Sequence, residues 1–365
     1  MLKLLLYPVS VIYGIAVALR NRLYDLKILH SREFEVPIIS VGNITVGGTG
    51  KTPHTEYLVK LLRQNFRVAT LSRGYKRKTK GFLFVDQDSM VAEVGDEPLQ
   101  MKRKYPGVTV AVDENRVTGV ETLLQQIPPP DVVVLDDAFQ HRRISPGINI
   151  LLIDYNKPIK DDALLPFGRL RESKMQAQRA NIIIITKCPN EITPINRRIL
   201  SKDVRLFPYQ DLYFTTMVYG QMFPLFDEAR PMDLFNDPHH MAILLVTGIA
   251  APEYAIQYLE GITDELEAMS FPDHHNFTMK DMDTVMERFD ALNKKEKIIV
   301  TTEKDAVRLR HLDLPRKLKM AIYILPVQVK FLDREGKQFD QKIIQYVGEN
   351  KSNRELHHRK DRNKG

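Results

Sequence analysis

The chain alternates short β-branched runs with amphipathic stretches, and this rhythm restricts its fold more than any other feature. Val36 to Val41, Arg67 to Leu71, Val108 to Val112, Val132 to Leu135, Ile148 to Ile153 and Ile182 to Ile185 are short and mostly apolar. A strand with one wet face alternates polar and apolar residues, whereas near-continuous apolar strands belong to parallel sheets covered on both faces. Tyr57, Leu58, Leu61 and Leu62 mark the apolar face of an intervening helix. A second series, Ala242 to Val246, Lys297 to Val300 and Ala321 to Leu325, follows a stretch at 205–240 that carries prolines and aromatics with weak periodicity. The sequence therefore predicts an α/β protein with a parallel-sheet domain at 31–205 and a second, smaller α/β domain at 206–345. An N-terminal segment (1–30) and a basic tail (346–365) flank them, and the tail has too little to bury to be expected to order.

Composition enters as exclusion. With 365 residues, 43% hydrophobic and 27% charged, the chain is neither mostly disordered nor collagen-like. A single cysteine, Cys188, rules out a disulfide framework and a cysteine-built zinc site, and suits a reducing compartment. The net charge of +7 demands no nucleic-acid partner, because residues 351–365 alone hold six Lys/Arg against two acids.

The N-terminus is the compositional anomaly. Sixteen uncharged residues, Leu4 to Leu19, precede Arg20, Arg22 and Lys27. As a helix they reach about 24 Å, short of the roughly 30 Å hydrocarbon core of a bilayer. Three readings stand: an interfacial membrane anchor, a buried core helix, or a signal or spanning segment. The basic residues just after the run favour the anchor, since they would sit among anionic headgroups on the cytoplasmic side.

The strongest chemical signal follows the first strand. Gly47-Gly48-Thr49-Gly50-Lys51-Thr52 leads into a helix whose first turn holds Pro53, a position where the missing N–H costs nothing. The glycines let successive backbone N–H groups face one anion, Lys51 can reach β- and γ-phosphates, and the Thr52 hydroxyl can ligate Mg²⁺. The full phosphate-loop pattern has glycine six residues before the lysine, where this chain has Thr45. A carboxylate at the end of a neighbouring strand is the usual companion of such a loop. Val132 to Leu135 ends in Asp136-Asp137, candidates to hold Mg²⁺ directly or through water. Phe139, Gln140, His141, Arg142 and Arg143 follow at once.

Several stretches in this order resemble the tetraacyldisaccharide 4'-kinase family of lipid A biosynthesis. They are Ser40 to Asn43, Gly47 to Pro53, Ser72 to Tyr75, Gly95 to Pro98, Asp136 to His141, Leu165-Pro166 through Gly168 to Glu172, Phe271 to His274, and Thr302 to Asp305. The resemblance implies a P-loop domain packed against a smaller α/β domain, with an N-terminal helix resting on the cytoplasmic face of the bacterial inner membrane. It implies transfer of the γ-phosphate of ATP, with Mg²⁺, to the 4'-hydroxyl of a tetraacylated glucosamine disaccharide 1-phosphate, forming lipid IVA. The positions that match the family's are Gly47, Gly48, Thr49, Gly50, Lys51, Thr52 and Pro53 for nucleotide. Thr52, Asp136, Asp137 and Glu172 match the acids and hydroxyl linked to the metal. Asp96 matches the catalytic base, and His274 the histidine that pairs with it.

Taken alone, Asp96 reads as an acid on a surface turn between Gly95 and Pro98, and its preference over Glu97 comes from the resemblance. Asp273-His274-His275 is too poor in ligands for a metal site. Arg73, Lys76, Arg77, Lys78 and Lys80 form a basic run suited to a phosphate-bearing lipid, or simply to water. The alternative from another class is a P-loop GTPase or ATPase switch, which needs a base-specifying Asn/Thr-Lys-x-Asp element; Thr186-Lys187-Cys188-Pro189 lacks the aspartate. A structural membrane protein whose loop binds no nucleotide is the third reading.

Overall fold

The computed structural model describes residues 6–229 and 241–362, with side chains described as far as Lys351. In chain order the first elements are α1 (Tyr7–Asp25), β1 (Ile38–Gly42), α2 (Lys51–Leu62), β2 (Val68–Ser72), β3 (Leu83–Phe84), α3 (Val91–Val94) and α4 (Asp96–Lys104). They are followed by β4 (Thr109–Val112), α5 (Arg116–Leu124), β5 (Val132–Asp136), β6 (Ile148–Asp154), β7 (Ile182–Thr186), α6 (Pro194–Val204) and β8 (Asp211–Tyr219). Next come β9 (Phe223–Pro224), β10 (Met241–Thr247), α7 (Glu253–Glu260), β11 (Glu265–Ser270), α8 (Met279–Ala291), β12 (Glu296–Thr302), α9 (Glu303–Leu309), α10 (Arg316–Ala321) and β13 (Ile322–Leu325). The chain ends with β14 (Val327–Phe331) and α11 (Gly336–Arg362).

Two sheets result. The larger has nine strands in the order β14-β8-β7-β6-β1-β5-β2-β4-β3, and the smaller has five, β11-β10-β12-β13-β9. From β4 to β8 the larger sheet is parallel, as the apolar runs require, with β3 antiparallel at one edge. Every residue of β1, β5, β6 and β7 is buried. Leu71, Val133 and Leu135 pack with Val120 and Leu123 of α5, while Leu151, Ile183 and Ile185 pack with Ile44, Phe139 and Phe214. In the smaller sheet β10 is buried throughout, with Val285 and Phe289 of α8 in one cluster and Leu259 of α7 in another.

The order of the large sheet places β1 between β5 and β6, and the connection from β1 runs to β2 on one side while that from its neighbour β6 runs to β7 on the other. Such a switch point opens a crevice at the carboxyl ends of the strands, where ligands bind in doubly wound sheets. The register sets Val41 beside Asp136. The glycine-rich loop and the acidic strand end are therefore neighbours because of strand order.

The two compact units differ from the sequence expectation of 31–205 and 206–345. One comprises 1–217 together with 329–365, and the other 218–328. The physical reason is that β8 and the start of α11, both assigned by sequence to the second domain, belong to the first. Phe339 of α11 is 1% exposed, packed against Phe331 at 4.6 Å and Tyr213 at 5.4 Å between ring centroids, and Tyr57 donates to Asp340 at 2.8 Å. The expected disordered tail likewise begins inside α11, which runs on to Arg362; residues 363–365 lie outside the described residues. At the other end, α1 buries only Ser10 and Asn21 and leaves Ile12, Ile15 and Leu19 more than 60% exposed, which excludes the core-helix reading. Among the described residues no helix is long and apolar enough to cross a membrane.

Truncating Phe339→Ala should cost about 3–5 kcal/mol, the usual penalty for emptying a buried aromatic site. Urea unfolding of the full chain measures it. A loss below about 1 kcal/mol would show that α11 contributes no core to the first unit.

Candidate active site

The phosphate loop is built by backbone geometry. Gly50 has φ +83° and forms the N-cap of α2, so a left-handed residue turns the chain into the helix at Lys51. A Cβ there would meet Cε of Met217 at 2.5 Å, the movable end of a flexible side chain, so it is the left-handed conformation that demands glycine. Thr45, the departure from the full pattern, causes no conflict. It forms an antiparallel bridge to Leu170 and has no positive φ, so a side chain is tolerated. Three further contacts fix the loop from outside. Asn43 Nδ2 donates to Thr49 Oγ1 at 2.8 Å, Thr186 Oγ1 donates to the Thr49 carbonyl at 2.9 Å, and Val46 N donates to the Arg169 carbonyl at 2.8 Å. Thr186 thus has a positional role that the sequence did not reveal, and its neighbour Lys187 is held by Asp154 at 2.9 Å.

His54, one turn into α2, was also missed. Its Nδ1 lies 2.7 Å from the Gly50 carbonyl and its Nε2 lies 3.0 Å from Thr215 Oγ1. A carbonyl only accepts, so Nδ1 carries the proton and Nε2 accepts from Thr215. Complete burial, partly offset by the Gly50 carbonyl, pushes the imidazole down to about 4. A neutral ring therefore bolts the loop's last glycine to β8.

Asp136 and Asp137 lie at the end of β5 beside this loop. Asp136 accepts from Thr55 Oγ1 at 3.0 Å. Burial chiefly, then repulsion from Glu97 and Asp137, raises its carboxyl to about 7, against the opposing pull of Lys51 and Thr55. Asp137 has a left-handed φ of 48° and faces Lys51 Nζ and Arg171, each at 3.7 Å. A divalent cation beside these two carboxylates would favour their ionised form against burial. One hydroxyl and one or two carboxylates suit Mg²⁺, which completes its shell with water and phosphate oxygens. Among the described residues no three His, Cys, Asp or Glu side chains form a ready-made cage. Glu172 is 2% exposed and ion-paired with Arg179, which also stacks on Phe139 at 4.5 Å.

The 163–172 segment links the loop to the N-terminal helix. Arg171 N donates to the Ile44 carbonyl at 2.8 Å, while Tyr13 donates to the Arg171 carbonyl at 2.8 Å and Ser10 to that of Leu164 at 2.7 Å. On the other flank, Asp96 opens α4 and accepts from Glu97 N at 3.0 Å. It is 2% exposed, so the reading of a surface-turn acid is corrected. Gly95, at φ +89°, lets residues 74 and 75 approach within 3.2–3.3 Å of where its Cβ would be, and so buries the turn. In the basic run Arg73, Lys76, Lys78 and Lys80 are exposed, while Arg77 pairs with Glu114 at 2.8 Å. His274 lies in the second unit, with φ 61°, among Asp273, Lys304 and Arg308.

A glycine-rich loop capped by a left-handed glycine, at the switch point of a parallel sheet and flanked by a buried strand-end aspartate, defines a phosphate-binding α/β protein of the P-loop class. A sequence model of the tetraacyldisaccharide-1-P 4'-kinase family matches residues 2–347. The chain belongs to that family. It is 51% identical over 351 residues to the tetraacyldisaccharide 4'-kinase of Phocaeicola vulgatus, covering 95% of this chain and 96% of that one. With its counterpart from Bacteroides fragilis strain YCH46 it shares 50% over 364 residues, at 98% and 97% coverage. Among solved structures, LpxK from Aquifex aeolicus in complex with ATP is 31% identical with a TM-score of 0.73, over 95% of this chain and 99% of that one.

The depressed imidazole gives a pH test. Unfolded, His54 takes up a proton near 6.5; folded, it resists protonation down to about 4. Its contribution to stability is therefore lost as pH falls through the unfolded value. By about pH 5 the loss is about 2 kcal/mol. The stability gap between wild type and His54→Gln should narrow by that amount between about pH 7.5 and about pH 5 in urea titrations. A pH-independent gap would mean that the folded ring protonates normally.

Proposed function

We propose that this protein transfers the γ-phosphoryl group of ATP to the 4'-hydroxyl of a tetraacylated glucosamine disaccharide 1-phosphate, forming lipid IVA. The observation that carries the reading is the loop capped by left-handed Gly50, set beside buried Asp136, in a chain that matches the kinase family over residues 2–347. In this reading the backbone from Gly47 to Gly50 cradles phosphate, and Lys51 neutralises charge on the transferred group. Thr52, Asp136 and Asp137 hold Mg²⁺, which supplies charge neutralisation at the phosphate oxygens when bound. Glu172, engaged by Arg179, supports the segment that carries Arg171 to Asp137.

Phosphoryl transfer is largely dissociative, so the base positions the hydroxyl and takes its proton late. Asp96 fills that role and His274 assists it, on the strength of the Gly95 to Pro98 and Phe271 to His274 motifs. The acceptor is a lipid, and the exposed apolar residues of α1 (Val9, Ile12, Ile15 and Leu19 among them) support an interfacial anchor on the cytoplasmic face of the inner membrane. Each such side chain contributes roughly 1.5–3 kcal/mol when fully removed from water.

Incubation of detergent-solubilised protein with labelled ATP and the lipid acceptor tests the reaction. Labelled lipid supports the kinase, whereas release of phosphate alone would favour an ATPase. In the same assay Asp96→Ala and His274→Ala should each lower kcat on the order of 10²–10⁴-fold. The double variant should be little worse than the poorer single one. Multiplicative losses would break the proposed pair. Replacing Ile12 and Ile15 by Glu should abolish co-sedimentation with anionic vesicles while leaving ATP binding intact; unchanged sedimentation would remove α1 from the membrane reading.

A further inference from the structure

His274 is held by a network on its own unit that no role assigned so far requires. Asp305 is completely buried in the first turn of α9 and accepts at Oδ2 from Thr247 Oγ1 (3.0 Å), Gly248 N (2.9 Å) and Thr302 Oγ1 (2.7 Å). Its other oxygen lies 3.5 Å from Nη1 of Arg308, whose side chain is 6% exposed. The same guanidinium donates from Nη1 to the His275 carbonyl at 3.1 Å and lies with Nη2 3.1 Å from His274 Nδ1. The His274 backbone N donates to the Gly248 carbonyl at 3.1 Å, so Asp305 steadies the turn beneath the ring as well as the arginine beside it.

A guanidinium has five donors and no acceptor, and it keeps its charge at any ordinary pH. Nδ1 must therefore accept, which leaves the single proton of the imidazole on Nε2. On that side stand Lys304 Nζ at 3.0 Å, which like the guanidinium has only donors, and Asp273 Oδ2 at 3.7 Å, an acceptor; a proton on Nε2 therefore requires the Lys304 ammonium to turn toward Asp273. Lys304 has a flexible stem and also pairs with Asp273 at 3.1 Å, whereas Arg308 is buried and fixed at two other points. The arginine therefore sets the tautomer.

We propose that Arg308, oriented by Asp305, is a positioning residue that fixes His274 as its Nε2–H tautomer. His274 then presents a hydrogen-bond donor to a carboxylate. Its effect on rate rests on the reading of His274 as a partner of the catalytic acid; the tautomer itself does not.

The test uses full-length protein labelled with ¹⁵N-histidine, with His274 assigned by its loss in His274→Gln. Two-bond proton–nitrogen spectra should show Nε2 protonated and Nδ1 accepting in the wild type, and a mixture of tautomers in Arg308→Met. Rate should fall on the order of 10²-fold, as for a misaligned catalytic group, with the KM for ATP unchanged and partial recovery in Arg308→Lys. Should Arg308→Met fail to fold, Asp305→Asn combined with it removes both buried charges and is read in the same way. A wild-type proton on Nδ1, or an identical spectrum without Arg308, overturns the proposal. Full activity of Arg308→Met alongside an impaired His274→Ala also overturns it. Full activity of His274→Ala instead overturns the role given to His274.

Discussion

A carboxylate at the end of an apolar strand is expensive to keep ionised, and the large sheet is organised around one. Asp136 ends a strand of four buried aliphatic residues and lies in register with Val41, near the end of the strand that leads into the phosphate loop. Thr55 and Lys51, both on the helix after that loop, supply the attraction that opposes burial. Arg116, itself buried, donates to the Asp136 carbonyl at 3.4 Å, and burial lowers its guanidinium to about 10 despite the neighbouring aspartates. Loop, helix and strand end thus share one charge balance. Titratable groups displaced from their ordinary range in this way cluster at functional sites.

The nine apolar runs of the sequence all fall in strands, because a strand covered on both faces leaves an unbroken hydrophobic signature. The strands without that signature were invisible. β11, Glu-Leu-Glu-Ala-Met-Ser, forms the edge of the smaller sheet, has no fully buried residue and reads as polar chain. β8 was hidden by Tyr, Thr and Met in a stretch whose prolines and aromatics looked like a junction. α11 was misjudged because charged residues outnumber the three that matter, Phe339, Ile343 and Val347.

The site was legible where the backbone itself does the chemistry. Gly47 to Thr52 and Asp136-Asp137 announce themselves through residue types that few other structures need. His54, Thr186 and Arg308 did not, since a helical histidine, a strand-end threonine and a helical arginine are common everywhere. Their importance comes from which carbonyl or ring they meet across the fold, and spacing along the chain carries no trace of it.

The split composition of the first unit has a consequence for how the protein is made. Residues 218–328 are inserted between β8 and β14, which are adjacent at one edge of the nine-stranded sheet. On the ribosome, the nucleotide-binding half is synthesised almost entirely before the insert, yet must wait for it. Its edge strand and helix α11 emerge after the insert, so Tyr57 on the phosphate-loop helix stays without its Phe339 and Asp340 partners until the insert has been translated. Nascent chains therefore expose that aromatic surface for the time needed to translate the insert. A message interrupted after residue 328 would yield an unfinished phosphate-loop unit attached to a fully synthesised second one.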